Sequence, residues 1–135
     1  MSIDEVYSKQ LNTPLGVFSQ AVKVTDAKQL LFVSGLTSRA PSGEVVGVGD
    51  VKLQTTTILE NMKTILEEAG GSLADIVKLT VFIRDMKQFD EIHEVRRRYF
   101  SQPLPASSMF EVSRLVDEEL LIEIEAIAAI GQSDC

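Results

Sequence analysis

The fold is decided by the last apolar stretch of the chain, Ile122-Glu123-Ile124-Glu125-Ala126-Ile127-Ala128-Ala129-Ile130. Successive side chains of a β-strand point to opposite faces, so one face of this strand is wholly apolar and the other combines two glutamates with apolar residues. The apolar face needs helices to cover it. The mixed face is too hydrophobic to lie comfortably in water, which indicates an interface in a cyclic oligomer. Such an interface would partly desolvate both glutamates.

The other elements follow from the same kind of pattern. Strands are predicted at residues 18–25 and 30–35 as a hairpin, at 76–83, at 107–112 and at 120–130, with a short strand possible at 44–46. One helix begins after Asp50 as N-cap and stops at Gly70-Gly71, and a second follows Asp85 and ends before Pro103. The order β-β-α-β-α-β-β predicts an α+β fold, a single sheet with two helices on one face, as one domain over residues 1–135.

Composition restricts the function classes. The net charge of −7, from 20 acidic and 13 basic residues, disfavours nucleic acid and anionic membranes as partners. His93 and Cys135 are the single histidine and cysteine, so a disulfide within the chain and a Cys/His zinc site are excluded. The terminal thiol is expected to have no chemical role. Residues 1–5 lack the features of a signal peptide, and no apolar run is long enough to span a membrane, so we expect a soluble cytoplasmic protein.

Several segments between residues 12 and 130 carry a family resemblance. They are PLGVFSQAV (14–22), FVSG (32–35), the first-helix residues Asn61, Leu66, Ala69 and Gly70, VKLTVF (77–82) with Asp85, PASS (105–108) followed by Glu111-Val112, and IEIEAIA (122–128). In this order and spacing they resemble the Rid/YjgF family. The resemblance implies a chorismate-mutase-like homotrimer with small-molecule clefts between subunits. It also implies hydrolysis of reactive enamines and imines, such as 2-aminoacrylate, to keto acids and ammonia, with no cofactor and no metal.

The resemblance assigns roles to three residues of this chain. Glu123 stands where family members that deaminate have the acid holding the attacking water. Ser34 and the backbone amide of Gly35 stand where the family holds polar atoms of the substrate. A carboxylate positioned beside water is suited to imine hydrolysis, because the protonated C=N carbon is already electrophilic.

Other positions depart from the family pattern. Ser107 replaces the arginine that grips the substrate carboxylate, and serine lacks that fork of donors. Phe18 replaces a tyrosine. On the second helix His93 and Arg96 replace a common asparagine and tyrosine. We therefore expect a substrate other than 2-aminoacrylate. The stretch from Gly35 to Arg39 resembles relatives that deaminate aminomuconate-type dicarboxylates.

Each assignment has a structural alternative. Glu123 is either the water-binding acid or a buried acid paired with Lys78 or an arginine, and Glu125 is expected to be a salt-bridge partner across the trimer. His93 either transfers protons or is an ordinary half-buried histidine. Arg39 either grips a carboxylate or is a solvated loop residue.

Two alternatives concern the function of the whole chain. Residues 96–98, three consecutive arginines, suggest nucleic-acid binding, but side chains about 100° apart on a helix form no stripe. The resemblance itself leaves two functions open: the chain is either a deaminase or a non-catalytic trimeric protein that binds a small metabolite in the same clefts.

Overall fold

The structure is a computed structural model, which describes residues 1–131; Cys135 lies outside the described residues. The described chain contains β1 (Ser2–Val6), β2 (Ala21–Thr25), β3 (Gln29–Thr37), α1 (Val51–Glu68), β4 (Ile76–Ile83), α2 (Phe89–Tyr99), β5 (Ala106–Glu111) and β6 (Ile122–Ile130). Single 3-10 turns precede β4 and α2. Among these residues no helix combines the length and apolarity that crossing a membrane requires.

Four strands form the main sheet in the order β3-β6-β4-β5. The β6 strand is antiparallel to both of its neighbours, and β5 is parallel to β4. The alternation predicted for residues 122–130 is confirmed as far as residue 127, since Ile122, Ile124 and Ala126 are buried and Glu123 and Glu125 are not, whereas the last three residues of the strand are all buried. The predicted α+β class, with two helices covering one face of a sheet, is therefore confirmed.

Both helices begin and end close to the predicted residues. Asp50 is the N-cap of α1, and its carboxylate accepts a hydrogen bond from the Leu53 amide (3.0 Å). Gly70 takes the left-handed conformation that ends the helix, with φ at +82°. Asp85 caps the 3-10 turn that leads into α2 rather than α2 itself. The helices and sheet enclose a core that includes Ile58, Met62, Leu66, Leu79, Val81, Ile92, Val95, Ile122 and Ile124.

The predicted hairpin of residues 18–25 and 30–35 is wrong. The β2 strand pairs instead with β1, the N-terminal strand that the sequence did not indicate, in a separate two-stranded sheet. The β3 strand pairs with β6, from the other end of the chain. A turn does form near Asp26, which has a φ of +57°, but the strands on either side of it belong to different sheets. Four of the five residues of β1 are exposed, so the apolar alternation that marks a buried strand is missing there.

The second face of the main sheet is uncovered in the single chain. Leu30, Phe32 and Phe110 are 59%, 70% and 51% exposed on this face. The rings of Phe82 and Phe110 are stacked on it, with centroids 6.2 Å apart. Aromatic side chains exposed together in this way are typical of a surface that another protein covers.

The buried side chain of Gln54 holds the segment that leads into β6 by hydrogen bonds. Its side-chain amide is fully buried and donates to the carbonyls of Gly47 (3.0 Å) and Glu119 (2.9 Å). Its Oε1 accepts from the amide of Leu121 (2.8 Å), the residue before β6. One side chain thus forms hydrogen bonds with three backbone groups of two loops and holds those loops together.

Replacing Gln54 by leucine should therefore destabilise the protein strongly. The change keeps the size of the buried side chain but removes its three hydrogen bonds to the backbone, and we expect a loss of about 2–4 kcal/mol in the free energy of unfolding. Urea unfolding of Gln54→Leu against wild type measures it. Lys63→Gln, on the exposed side of α1, is the control and should change the value by less than about 0.5 kcal/mol. Equal stability of the two variants would contradict this role for Gln54.

Candidate active site

The carboxylate of Glu123 lies directly against the backbone of Gly35. A β-carbon built on Gly35 would overlap Glu123 Oε2, so a larger residue at position 35 would force the carboxylate to move. Gly35 and Ser34 form the bulge at which the pairing of β3 with β6 shifts, between Val33 and Leu36. The structure therefore places Glu123 next to Gly35 and its chain neighbour Ser34, three residues that the family resemblance named as site residues. Bulges are frequent next to active sites because they re-aim side chains.

Glu123 does not form the ion pair that the structural alternative required. Within residues 1–131 its carboxylate takes part in no salt bridge and no side-chain hydrogen bond. Lys78, the suggested partner, donates instead to Ser108 Oγ at 3.2 Å. The side chain of Glu123 is half-buried, whereas Glu125 is exposed. Glu123 is thus a partly desolvated carboxylate with oxygens free to accept hydrogen bonds from a water or a ligand.

His93 lies in a second cluster, beneath the N-terminal segment. It is 3% exposed, and its ring stacks on Phe89 with centroids 4.0 Å apart. Nδ1 lies 3.1 Å from the Phe89 carbonyl, which can only accept, so Nδ1 carries the proton and Nε2 is the free acceptor of the neutral ring. Nε2 faces Gly16, where a β-carbon would overlap it. Burial, and after it the positive charge of Arg96, lowers the pKa of His93 below its usual 6.5.

Arg96 is the residue of this cluster whose position the sequence did not indicate. It is 1% exposed, and its Nη2 donates to the Val17 carbonyl (3.1 Å) and to Ser107 Oγ (3.0 Å). The signal was present in the helical spacing, because Arg96 follows Ile92 by four residues and so shares the buried face of α2. The three consecutive arginines thus differ in environment, because Arg96 is buried and the next two are exposed. Arg98 differs, being exposed and paired with Glu94 at 3.0 Å.

Phe18 borders the same cluster, and its ring lies next to the Cβ position of Gly16. The neighbouring Ser19 anchors this segment to the start of β5. Its amide donates to the Pro105 carbonyl (3.0 Å) and its hydroxyl to the Leu104 carbonyl (2.5 Å). Phe18, His93, Arg96 and Ser107 are therefore held together by the N-terminal segment, α2 and β5.

Arg39 lies outside both clusters and contacts its own loop and the loop that contains Asp117. Its Nη1 donates to the Gly43 carbonyl (2.7 Å), and its Nη2 lies 3.7 Å from Asp117 Oδ2. Its backbone pairs with Val45 through a single bridge, all that forms of the short strand predicted at residues 44–46. A role for Arg39 in gripping a carboxylate stays a prediction. Within residues 1–131 no three His, Cys, Asp or Glu side chains are grouped as metal ligands.

The two clusters lie on opposite faces of the main sheet. Ser107 pairs with Leu79, a core residue, so Ser107 faces the helices. Glu123 pairs with Phe82, which points to the uncovered face. Glu123 and Ser107 are also separated by two strand spacings and three residues along the strands, which corresponds to roughly 14 Å between their Cα atoms. One small molecule cannot touch both residues within a single chain.

The comparisons agree with one another about the family. The sequence profile of the endoribonuclease L-PSP family matches residues 9–130. A RutC family protein of Pyrococcus abyssi is 43% identical over 129 residues, covering 95% of this chain and 98% of its own length. The 3-aminoacrylate deaminase RutC of Acinetobacter baylyi is 38% identical over 109 residues, covering 81% of this chain and 86% of its own. A crystal structure of a Rid family protein from Yersinia pestis superimposes with a TM-score of 0.87 at 29% identity, covering 96% and 100% of the two chains.

The neutral, buried His93 should make stability depend on pH. The unfolded chain takes up a proton near pH 6.5, while the folded chain does so only at lower pH. The unfolded state therefore binds more protons in that window, and the free energy of unfolding falls as the pH drops below 6.5. His93→Gln removes this term, so its stability difference from wild type should shift between about pH 7.5 and pH 5.5 in favour of the variant. Because His93 is the single histidine, no other imidazole contributes. Urea unfolding of both proteins at both pH values measures this. The same difference in the free energy of unfolding at pH 7.5 and pH 5.5 would contradict the assignment.

Proposed function

The chain belongs to the endoribonuclease L-PSP family, which includes the Rid and RutC proteins, and we propose that it hydrolyses a reactive enamine or imine to a carbonyl compound and ammonia. Deaminase activity is named for a relative 38% identical to this chain. The observation that carries the proposal is the half-buried carboxylate of Glu123, which lies against Gly35 and has no ion-pair partner among residues 1–131.

The proposed reaction needs one water and one carboxylate. Glu123 accepts a proton from the water as its oxygen attacks the carbon of the protonated C=N bond, and a carbinolamine forms. The same carboxylic acid then returns the proton to the nitrogen. The C–N bond breaks while the hydroxyl oxygen forms the C=O bond, and the hydroxyl proton leaves to solvent. Water and imine thus become a carbonyl compound and ammonia, with no change in oxidation state.

The backbone around Gly35 supplies the polar contacts in this proposal. The bulge leaves Ser34 and Gly35 outside the ladder of β3 with β6. Both residues are exposed, and in this proposal the Ser34 hydroxyl and the Gly35 backbone face the ligand. Placed beside Glu123, they would hold polar atoms of the substrate while the carboxylate directs the water.

The substrate is proposed to be an enamine or imine other than 2-aminoacrylate. Position 107 carries a serine, which cannot form the two parallel hydrogen bonds that an arginine makes to a carboxylate. The candidates are 2-aminomuconate, from the resemblance of residues 35–39, and 3-aminoacrylate, from the relative of that name. Ammonia release should be followed with imines generated in place by an amino-acid oxidase and with the enamines themselves. A panel without any turnover would favour the alternative, a metabolite-binding protein.

Nucleic-acid cleavage has less support, although the family name includes it. Of the three consecutive arginines, Arg96 is buried and Arg98 is paired with Glu94. The chain carries a net charge of −7, which repels a phosphate backbone.

The complete site is proposed to form between subunits of a homotrimer. The uncovered face of the main sheet, with Leu30, Phe32 and Phe110, has the apolar character of a subunit interface. Glu123 lies on that face, while His93, Arg96 and Ser107 lie on the other. Association would allow the Glu123 side of one subunit to approach the Ser107 side of the next.

Glu123→Gln should abolish deamination and leave the assembly intact. The amide keeps the shape of the side chain but cannot accept a proton from water, so kcat should fall by about 100-fold or more while KM changes little. Ammonia release with the best substrate of the panel measures this. Glu125→Gln is the matched control. Glu125 is exposed and lies two residues further along the same face of β6, and its variant should retain wild-type kcat. If the two phenotypes are reversed, the chemistry has been assigned to the wrong glutamate.

The trimer should be visible in solution at micromolar concentration. Light scattering should give three times the 14.9 kDa of the chain. Phe32→Glu places a charge on the proposed interface and should shift the mass toward that of the single chain, because burying an unpaired charge is costly. Glu5→Gln, in the exposed strand β1, is the control and should keep the trimer. A stable folded chain near 14.9 kDa in wild type would refute both the assembly and the shared site.

A further inference from the structure

Arg96 is a buried arginine without a carboxylate partner in residues 1–131. The ion pairs in that part of the chain involve Arg39, Lys52 and Arg98 instead. Nε of Arg96 is buried and has no hydrogen-bond partner there. Burial lowers the pKa of Arg96 to about 10, which leaves the guanidinium charged at neutral pH. A charged group removed from water is normally paired, so a site that retains this one without a counter-ion is suited to bind an anion.

Ser107 connects the buried charge to the surface. Arg96 is 1% exposed, whereas Ser107 is only half-buried. Ser107 Oγ accepts from Arg96 Nη2 at 3.0 Å, and a hydroxyl that accepts one hydrogen bond can still donate its own proton. The side chain has no acceptor for that proton among the hydrogen bonds of the described residues. A hydroxyl polarised by a cation behind it is a stronger donor, most of all toward a negatively charged oxygen.

The rest of the cluster holds this pair in place. The Val17 carbonyl fixes the second hydrogen bond of Arg96 Nη2. The neutral ring of His93, stacked on Phe89, lies on the same side of α2 and is itself influenced by the charge of Arg96.

We propose that Ser107 and Arg96 together form the binding site for the carboxylate of the substrate, in which the Ser107 hydroxyl touches the carboxylate and Arg96 is a positioning residue that acts through it. That the bound carboxylate belongs to a substrate rests on the proposed deaminase function; that an anion binds here does not. The arginine of this site comes from α2 instead of β5. It follows that Ser107→Arg alone would place two guanidinium groups side by side and should weaken the site.

The test compares a carboxylate with a neutral molecule of the same shape. Binding of propanoate and of propanamide to the assembled protein is measured by NMR titration. Wild type should prefer propanoate by about tenfold or more, since a charge-assisted hydrogen bond has that effect on affinity. Arg96→Met and Ser107→Ala should each remove the preference. Arg97→Met, the same change at the exposed neighbouring residue, should retain it.

Two further variants guard against a merely structural effect. Arg96→Lys keeps the buried charge but loses the fork of donors, so it should fold and keep a reduced preference for propanoate. The double variant Arg96→Met with Ser107→Arg moves the cation to the other end of the contact and should restore the preference. The same preference in wild type and Arg96→Met, or none in wild type, would overturn the proposal.

The outcomes separate this proposal from the deaminase function. If wild type hydrolyses an imine that has no carboxylate, and shows no preference for propanoate, the carboxylate site is refuted and the deaminase stands. If the propanoate preference depends on Arg96 but no member of the substrate panel releases ammonia, the site stands and the metabolite-binding alternative is favoured over the deaminase.

Discussion

The structure depends on the alternation of side chains along β6. This strand is hydrogen-bonded on both sides, to β3 and to β4, so its register determines which residues of the sheet face the helices. A slip of one residue would move Ile122, Ile124 and Ala126 out of the core and bury Glu123 and Glu125 in their place. The pairing that builds the core is therefore the same pairing that places a carboxylate on the opposite face, beside the bulge of β3.

Local patterns predicted the elements whose own residues determine them. The N-cap at Asp50, the glycine stop at Gly70 and the strand at residues 76–83 were found within a residue or so, because capping and alternation are short-range signals. The predicted hairpin was wrong because the sequence says little about which strands pair. The β1 strand is mostly exposed and lacks apolar alternation, and the partner of β3 comes from the far end of the chain.

The parts of the candidate site that lie in family motifs could be predicted from the sequence. Contacts that arise only when a helix packs on the sheet could not. Two family motifs named Gly35 and Glu123 as site residues, and the structure shows them in contact. The contact of Arg96 with Ser107 joins α2 to an edge strand, and no motif marks it. A charged residue on the apolar face of a helix is itself a signal of a binding or structural role, because burying an unpaired charge costs free energy.

The contact between Gly35 and Glu123 also limits how related sequences can vary. A side chain at position 35 would occupy the space that the carboxylate fills, so Glu123 would have to adopt another rotamer or be replaced by a shorter residue. A descendant that gains a β-carbon on β3 must first shorten or redirect residue 123. The loss of the acid in turn removes the constraint on the glycine. The two positions, 88 residues apart in the chain, are therefore coupled, because a β-carbon at one of them moves the carboxylate of the other away from its place in this structure.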